Sequence, residues 1–162
     1  MDKGTSFQPV LTENVTDPSK VERVVLLSGK MYYDLLQAAR GAQARRPGRL
    51  CPGGGESRVE TQLIRFLTAF FRVRQEISPF PYEAIAKALK PFSSAKSVMW
   101  AQDEPENAGA WTFVMPRLQQ ILPKSRKLQY VGRDAMATPA PGVKQYFEEQ
   151  RKSIEEQVFA GL

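Results

Sequence analysis

Apolar and polar positions along the chain fall into blocks that switch between two periods. Val24-Val25-Leu26-Leu27 is a short apolar run closed by Ser28-Gly29, after which Met31, Leu35, Leu36 and Ala39 recur at helical spacing as far as Gly41. The pattern predicts strand, tight turn, helix. Phe70 to Ile77 offers a second strand, ended by Ser78-Pro79-Phe80-Pro81, where two prolines force an extended path. Tyr82, Ile85, Ala86 and Leu89 then mark one face of a helix. Ser97 to Gln102 reads as a third strand with Val98-Met99-Trp100 as its apolar part. Beyond an acidic turn, Trp111, Val114, Met115, Leu118 and Leu122 recur at helical spacing, with Pro116 tolerable in a first turn or at a kink. A fourth strand spans about Lys127 to Gly132, and Val143 to Ala160, with Phe147, Ile154 and Val158 on one stripe, predicts a docked terminal helix. Strands alternating with helices predict an α/β fold of three layers, a mainly parallel sheet with helices on both faces.

Two stretches stand outside this alternation. Residues 1–20 form a polar lead-in, and residues 21–162 form a single α/β domain interrupted by an atypical Arg/Gly/Pro-rich insertion at about 42–69. That insertion is longer than ordinary connections. Within it, Leu63, Ile64 and Leu67, with Phe70 or Phe71, sit at helical spacing and allow an extra helix. The lead-in carries Asp2, Glu13 and Asp17, which an Arg-rich transit peptide avoids, so no targeting segment is expected. No apolar run approaches the ~18 residues of a membrane span, so the expectation is a soluble protein without a membrane partner.

Composition narrows the chemistry. The 162 residues include one cysteine, Cys51, and no histidine. An internal disulfide is therefore excluded, as are Ser-His-Asp and Cys-His catalytic sets and the usual zinc-hydrolase ligands. The formal charge of +6 is concentrated: Arg40 to Arg74 holds eight arginines against Glu56 and Glu60, which accounts for the whole excess. This excess lies partly in a Pro/Gly-rich stretch with no interleaved aromatic platform, which argues against nucleic acid as the partner. It leaves a stand-alone anion- or nucleotide-binding module, acting through the Arg-rich segment, as the alternative function.

Candidate chemistry sits at strand ends. Ser28 and Lys30, flanking Gly29 at a strand-to-helix turn, are candidate anion contacts, although no Walker-type glycine spacing precedes Lys30 and no Ser/Thr follows it. Arg133 ends the fourth strand, where open α/β sheets bind ligands; the competing reading pairs it with a nearby carboxylate. The Gln102 to Asn107 turn carries Asp103, Glu104 and Glu106 at a spacing unlike a calcium loop. Gln102, Asp103, Glu104, Asn107 and Trp111 are therefore read as a structural or interface motif, the acids and Asn107 capping the next helix. Trp100, Trp111 and Phe113 are read as core or interface aromatics, and Cys51 as an incidental loop thiol. No catalytic, cofactor-binding or metal-ligating residue is assigned.

Four ordered motifs carry a resemblance. Ser28-Gly29-Lys30-Met31-Tyr32-Tyr33-Asp34-Leu35, Ile77-Ser78-Pro79-Phe80-Pro81-Tyr82, Trp100 through Trp111, and Tyr130-Val131-Gly132-Arg133 with Thr138-Pro139-Ala140-Pro141-Gly142 follow successive strands. Together, over residues 7–41 and 71–162, they resemble the C-terminal domain of the thiamine-diphosphate-dependent decarboxylating component of 2-oxoglutarate dehydrogenase. The Asn107-Ala108-Gly109-Ala110-Trp111 wording is similar to the 2-oxoadipate branch. The resemblance implies a fold like the transketolase C-terminal domain and a parent enzyme that oxidatively decarboxylates a 2-oxo acid and passes the acyl group to lipoamide. It also implies a mitochondrial matrix setting in the tricarboxylic acid cycle or lysine degradation.

Its cofactors, thiamine diphosphate and magnesium, would be bound by upstream catalytic domains. This chain, starting at Met1 beside the domain, is expected to lack them and to bind no cofactor itself. Its full sequence holds no Gly-Asp-Gly…Asn-Asn pattern for a magnesium diphosphate. Implied partners are those upstream domains or a homodimer partner, and the lipoyl acyltransferase component through the complex. In the resembled family the edge carrying the acidic turn lies near the subunit interface, and this domain is linked to regulatory nucleotide or acyl-CoA binding.

Overall fold

The computed structural model describes residues 10–12, 15, 17–41, 68–73 and 78–160. Within them the elements are β1 (Val10–Thr12), β2 (Arg23–Leu27), α1 (Met31–Gly41), β3 (Thr68–Val73), α2 (Tyr82–Leu89), β4 (Ser97–Pro105), α3 (Trp111–Ile121), β5 (Lys127–Arg133) and α4 (Lys144–Phe159). The strands make one sheet in the order β1-β3-β2-β4-β5. All neighbours are parallel except β1, which runs antiparallel to β3 and pairs Val10 with Val73.

The α/β fold expected from the alternation is present, and the pleat explains its three layers. Side chains leave a strand on alternate faces. In β2, Val24 and Leu26 join one cluster with Ile85, Leu89, Val114 and Leu118 of α2 and α3. Val25 and Leu27 join the other, with Met31 and Leu35 of α1 and Ile154 and Val158 of α4. β4 repeats the division, Val98 and Trp100 facing α2 and α3, Met99 and Ala101 facing α1 and α4. A strand covered on both sides needs an unbroken apolar run, which is why β2 reads Val-Val-Leu-Leu rather than alternating. Trp100 is fully buried at the centre.

Three boundaries differ from the periodicity. β1 lies inside the polar lead-in; its three residues are half-buried or exposed and take their order from the ladder with β3, not from an apolar pattern. β3 runs from Thr68, so Phe70 and Phe71 belong to a strand and not to an extra helix. Residues 42–67, Cys51 among them, and 74–77 lie outside the described residues. β4 continues past Gln102 through Asp103 and Glu104 to Pro105, where an acidic turn was expected. Pro116 sits inside α3, beyond its first turn.

Candidate functional site at the carboxyl end of the sheet

The order of the parallel strands reverses between β2 and β4: from β2 the chain steps outward to β3, then returns to lay β4 and β5 on the other side. Open α/β sheets bind ligands outside the carboxyl ends of their strands at such a switch point. Ser28, Gly29 and Lys30 follow β2 there, Gln102 and Asp103 lie in β4 beside them, and Arg133 ends β5 one strand further out.

β4 bulges at this end. Ala101 faces Val131 and Pro105 faces Arg133, so four steps on β4 match two on β5. Trp100 and Gln102 share the α3 face by the two-residue period. The 3%-exposed Gln102 carboxamide is bonded on all sides: its Oε1 accepts from Trp100 Nε1 and from the Trp111 amide, both at 2.9 Å, and its Nε2 donates to the Glu104 and Pro105 carbonyls at 3.1 and 3.0 Å. Gln102 therefore closes the bulge and holds the first amide of α3. A buried amide this fully bonded offsets its desolvation, whereas one left unpaired costs about 1–3 kcal/mol per group.

Two glycines make room for it. A Cβ on Gly109 would stand 2.2 Å from Gln102 Nε2, and one on Gly132 would stand 2.2 Å from the Tyr130 hydroxyl and 3.1 Å from the Gln102 carbonyl. The Tyr130 hydroxyl donates to the Arg133 carbonyl at 2.8 Å, with the Glu104 carbonyl at 3.2 Å. Burial, reinforced by the nearby carboxylates of Glu106, Asp134 and Glu104, pushes its ionisation from 10.0 up to about 12, against an opposing hydrogen bond with Gln102.

On the α4 face, Arg133 is 4% exposed, its Nη2 lies 2.9 Å from Asp103 Oδ1, and its Cζ stands 4.6 Å from the Phe147 ring centroid. Burial of a guanidinium requires such a partner. The structure thus gives Arg133 a carboxylate partner and an aromatic face. Its Nε is buried without a hydrogen-bond partner among the described residues.

The capping role expected of Asn107 is corrected. The residue preceding α3 is Ala110 and supplies no side-chain cap. Asn107 instead donates from Nδ2 to the Met136 carbonyl at 2.9 Å and accepts the Met136 amide at 3.0 Å, tying the β4–α3 turn to the segment after β5. Asp103 is spent on Arg133, and Glu104 contributes its carbonyl to the lock. The capping falls to Gln102. The signal for it was legible as a lone carboxamide two positions after Trp100 in an apolar strand.

Lys30 is not brought to this cluster. Its Nζ lies 3.3 Å from Asp34 within α1, and Asp34 also meets Arg151 of α4 at 3.2 Å. Gly29 holds φ +63°, the left-handed conformation that the turn into α1 requires. Trp100 and Trp111 are core, and Phe113 packs against that core under Arg117.

The described molecule is thus a three-layer α/β domain whose carboxyl-end groups are bonded to one another. Its sequence matches the 2-oxoglutarate dehydrogenase C-terminal family over residues 1–47 and 56–159, and the chain belongs to that family. Residues 48–55 alone interrupt the match, so 42–47 and 56–69, read as part of an insertion, lie within it. Similar proteins include the 2-oxoglutarate dehydrogenase E1 component of Cupriavidus necator, 36% identical over 96% of this chain and 14% of its own length. The 2-oxoadipate dehydrogenase complex component E1 of Danio rerio is 34% identical over 95% of this chain and 14% of its own. The 2-oxoglutarate dehydrogenase E1 component of Azotobacter vinelandii is 35% identical over 95% and 14%. The chain therefore spans about one seventh of these relatives' length.

Thiamine diphosphate with magnesium, the group implied for the parent enzyme, needs a metal site. Among the described residues no three thiol or carboxylate side chains are grouped to hold a metal ion. No helix among them is long and apolar enough to cross a membrane.

Proposed function

We propose that this chain acts as the C-terminal, non-catalytic interface and regulatory domain of a 2-oxoglutarate or 2-oxoadipate dehydrogenase decarboxylating component. The parent reaction is oxidative decarboxylation of a 2-oxo acid with acyl transfer to lipoamide, on thiamine diphosphate held by other domains. The observation that carries this reading is the family match across nearly the whole chain, joined to a carboxyl-end site whose polar groups are bonded internally. A lock of that kind presents internally bonded backbone and two exposed acids, Glu104 and Glu106, to a neighbouring surface. The partners are then the catalytic domains, a second E1 subunit and, through the complex, the lipoyl acyltransferase. A mitochondrial matrix location belongs to this reading for a eukaryotic cell; the similar proteins come from bacteria as well as animals.

The test combines two assays. The purified chain, given thiamine diphosphate, magnesium and either 2-oxo acid, is expected to release no carbon dioxide. Added to the Cupriavidus relative shortened by its matching C-terminal region, it is expected to restore assembly and turnover. Decarboxylation by the chain alone would overturn the reading, as would failure to bind the shortened relative.

A further inference from the structure

The opposite end of the sheet is built differently. The segments entering β2, β4 and β5, residues 17–22, 90–96 and 122–126, are stitched into one plate. The Lys96 and Ser97 amides donate to the Glu22 carbonyl at 2.9 and 3.3 Å, Ser94 Oγ to the Ser19 carbonyl at 3.1 Å, and Arg126 Nη2 to the Ser93 carbonyl at 2.7 Å. Counting Lys127 at the start of β5, the plate carries Lys20, Lys90, Lys96, Lys124, Arg126 and Lys127 against two acids, Asp17 and Glu22. Asp17 pairs with Lys20 at 3.4 Å and Glu22 approaches Lys96 at 3.9 Å. Among the described residues, Lys90, Lys124 and Lys127 have no carboxylate partner, and all three are exposed.

The described chain outside Arg40–Arg74 is almost neutral in sum, yet the fold sorts it by strand polarity. Asp103, Glu104, Glu106 and Asp134 lie at the carboxyl end, where the cations Lys30, Arg133 and Lys144 are each paired with a carboxylate, and the unpaired Lys90, Lys124 and Lys127 lie at the amino end. The carboxyl termini of α2, α3 and α4 also point to the amino end, α4's lying against Arg23 at the start of β2. Their dipoles are equivalent to about half a negative charge each, too little to neutralise a net of four positive charges.

We infer that this amino-end plate is a docking surface for an acidic protein segment. Adjacent strands are spaced by about 4.8 Å, so entries to β2, β4 and β5 place cations across roughly 10 Å, the reach of a short extended run of carboxylates. Nucleic acid fits less well: the aromatic ring on the plate, Phe92, is buried, so no exposed ring is offered for base stacking. A lipid surface fits less well too, because Phe92 and Leu122 are both buried and cannot insert. Dispersed, mobile ammonium groups in a rigid frame suit carboxylates that match their spacing, and give fast, salt-sensitive association. This inference stands apart from the proposed parent reaction.

The experiment activates an amino-blocked oligoglutamate peptide with carbodiimide, adds it to the full chain and maps the joined lysines by mass spectrometry. The chemistry reads amines and passes over guanidinium, so the arginines between 40 and 74 do not enter the map. Attachment is expected at Lys90, Lys96, Lys124 and Lys127, suppressed by salt of about 0.5 M. Labelling spread evenly to Lys30, Lys144 and Lys152 would overturn the inference. So would stronger protection of the plate lysines by single-stranded DNA or by phosphatidylglycerol vesicles. In titrations, Lys96→Glu/Lys127→Glu is expected to weaken peptide binding about tenfold, two exposed attractions turned into repulsions. Lys144→Glu/Lys152→Glu, at cations already paired with Glu148 and Glu156, should change it less than about twofold. The reverse ranking refutes the surface. Lys96→Gln/Lys127→Gln, expected to lose about threefold, repeats the comparison if charge reversal prevents folding.

Discussion

At the scale of single residues, the densest chemistry surrounds Gln102. Gln102→Ala removes the acceptor for two buried N–H groups and the donor to two carbonyls, and is expected to lower unfolding free energy by about 3 kcal/mol in urea titration. Gly109→Ala should cost a comparable amount alone, because the new methyl meets a side chain held by four bonds. In the Gln102→Ala background the same change should cost little, and a double-mutant cycle measures that coupling. Tyr130 provides a pH test. Its ionisation is raised by burial, so the native state keeps a proton that the unfolded chain releases near pH 10. That stability is present in full below about pH 10 and is lost as pH rises through 12. Denaturation followed across this window should show a fall that Tyr130→Phe flattens; an unchanged slope would remove the burial argument. Gln102 could be singled out from sequence because a carboxamide interrupting an apolar strand needs a partner. The role of Asn107 could not, since its position four residues before Trp111 suggests a cap while its real partner, Met136, is distant in sequence.

At the scale of elements, α4 is the informative case. Little of it is apolar, and it is fastened along its length by arginines: Arg133 against Phe147 at its start, Arg151 to Asp34 of α1 in its middle, and Arg23 to the Val158 and Ala160 carbonyls at its end. Arg23 thus occupies carbonyls that the helix itself leaves unbonded, and burial pulls its guanidinium below its ordinary value, with the neighbouring Glu22 carboxylate opposing. Arg23→Met is expected to cost about 1–2 kcal/mol and to speed amide hydrogen exchange in the last turn of α4 while leaving α2 and α3 unchanged. Ile154→Ala, in the packed part, should cost about 3 kcal/mol in the same denaturation assay. The helices were legible because 3.6-residue periodicity survives in each, and the central strands because both their faces are buried. β1 and the end of β4 were not. A three-residue edge strand takes its place from β3, and the charges of Asp103 and Glu104 look like a turn until the pairing of Pro105 with Arg133 beyond the bulge is seen.

At the scale of the whole molecule, β2, β3, β4 and β5 run parallel and share one polarity, so properties of strand beginnings and strand ends become properties of two opposite faces. Net charge read along the chain could not show this, because bases and acids that cancel in the sum are separated in space. The carboxyl face is rigid and internally bonded, the amino face cationic and open to solvent. The position of Arg133 was legible from its place after the fourth strand, and its pairing with Asp103 followed only from the bulge that brings β4 alongside it. The chain's two tryptophans both belong to the carboxyl face, Trp100 and Trp111 each donating an N–H to the same Gln102 oxygen. Nature has thereby fitted the protein with an optical reporter at one pole. Indole emission should shift when a neighbouring domain or ligand disturbs the β4–α3 junction, and should stay silent when an acidic segment engages the lysines at the other, so that one fluorimeter trace distinguishes the two faces without a label.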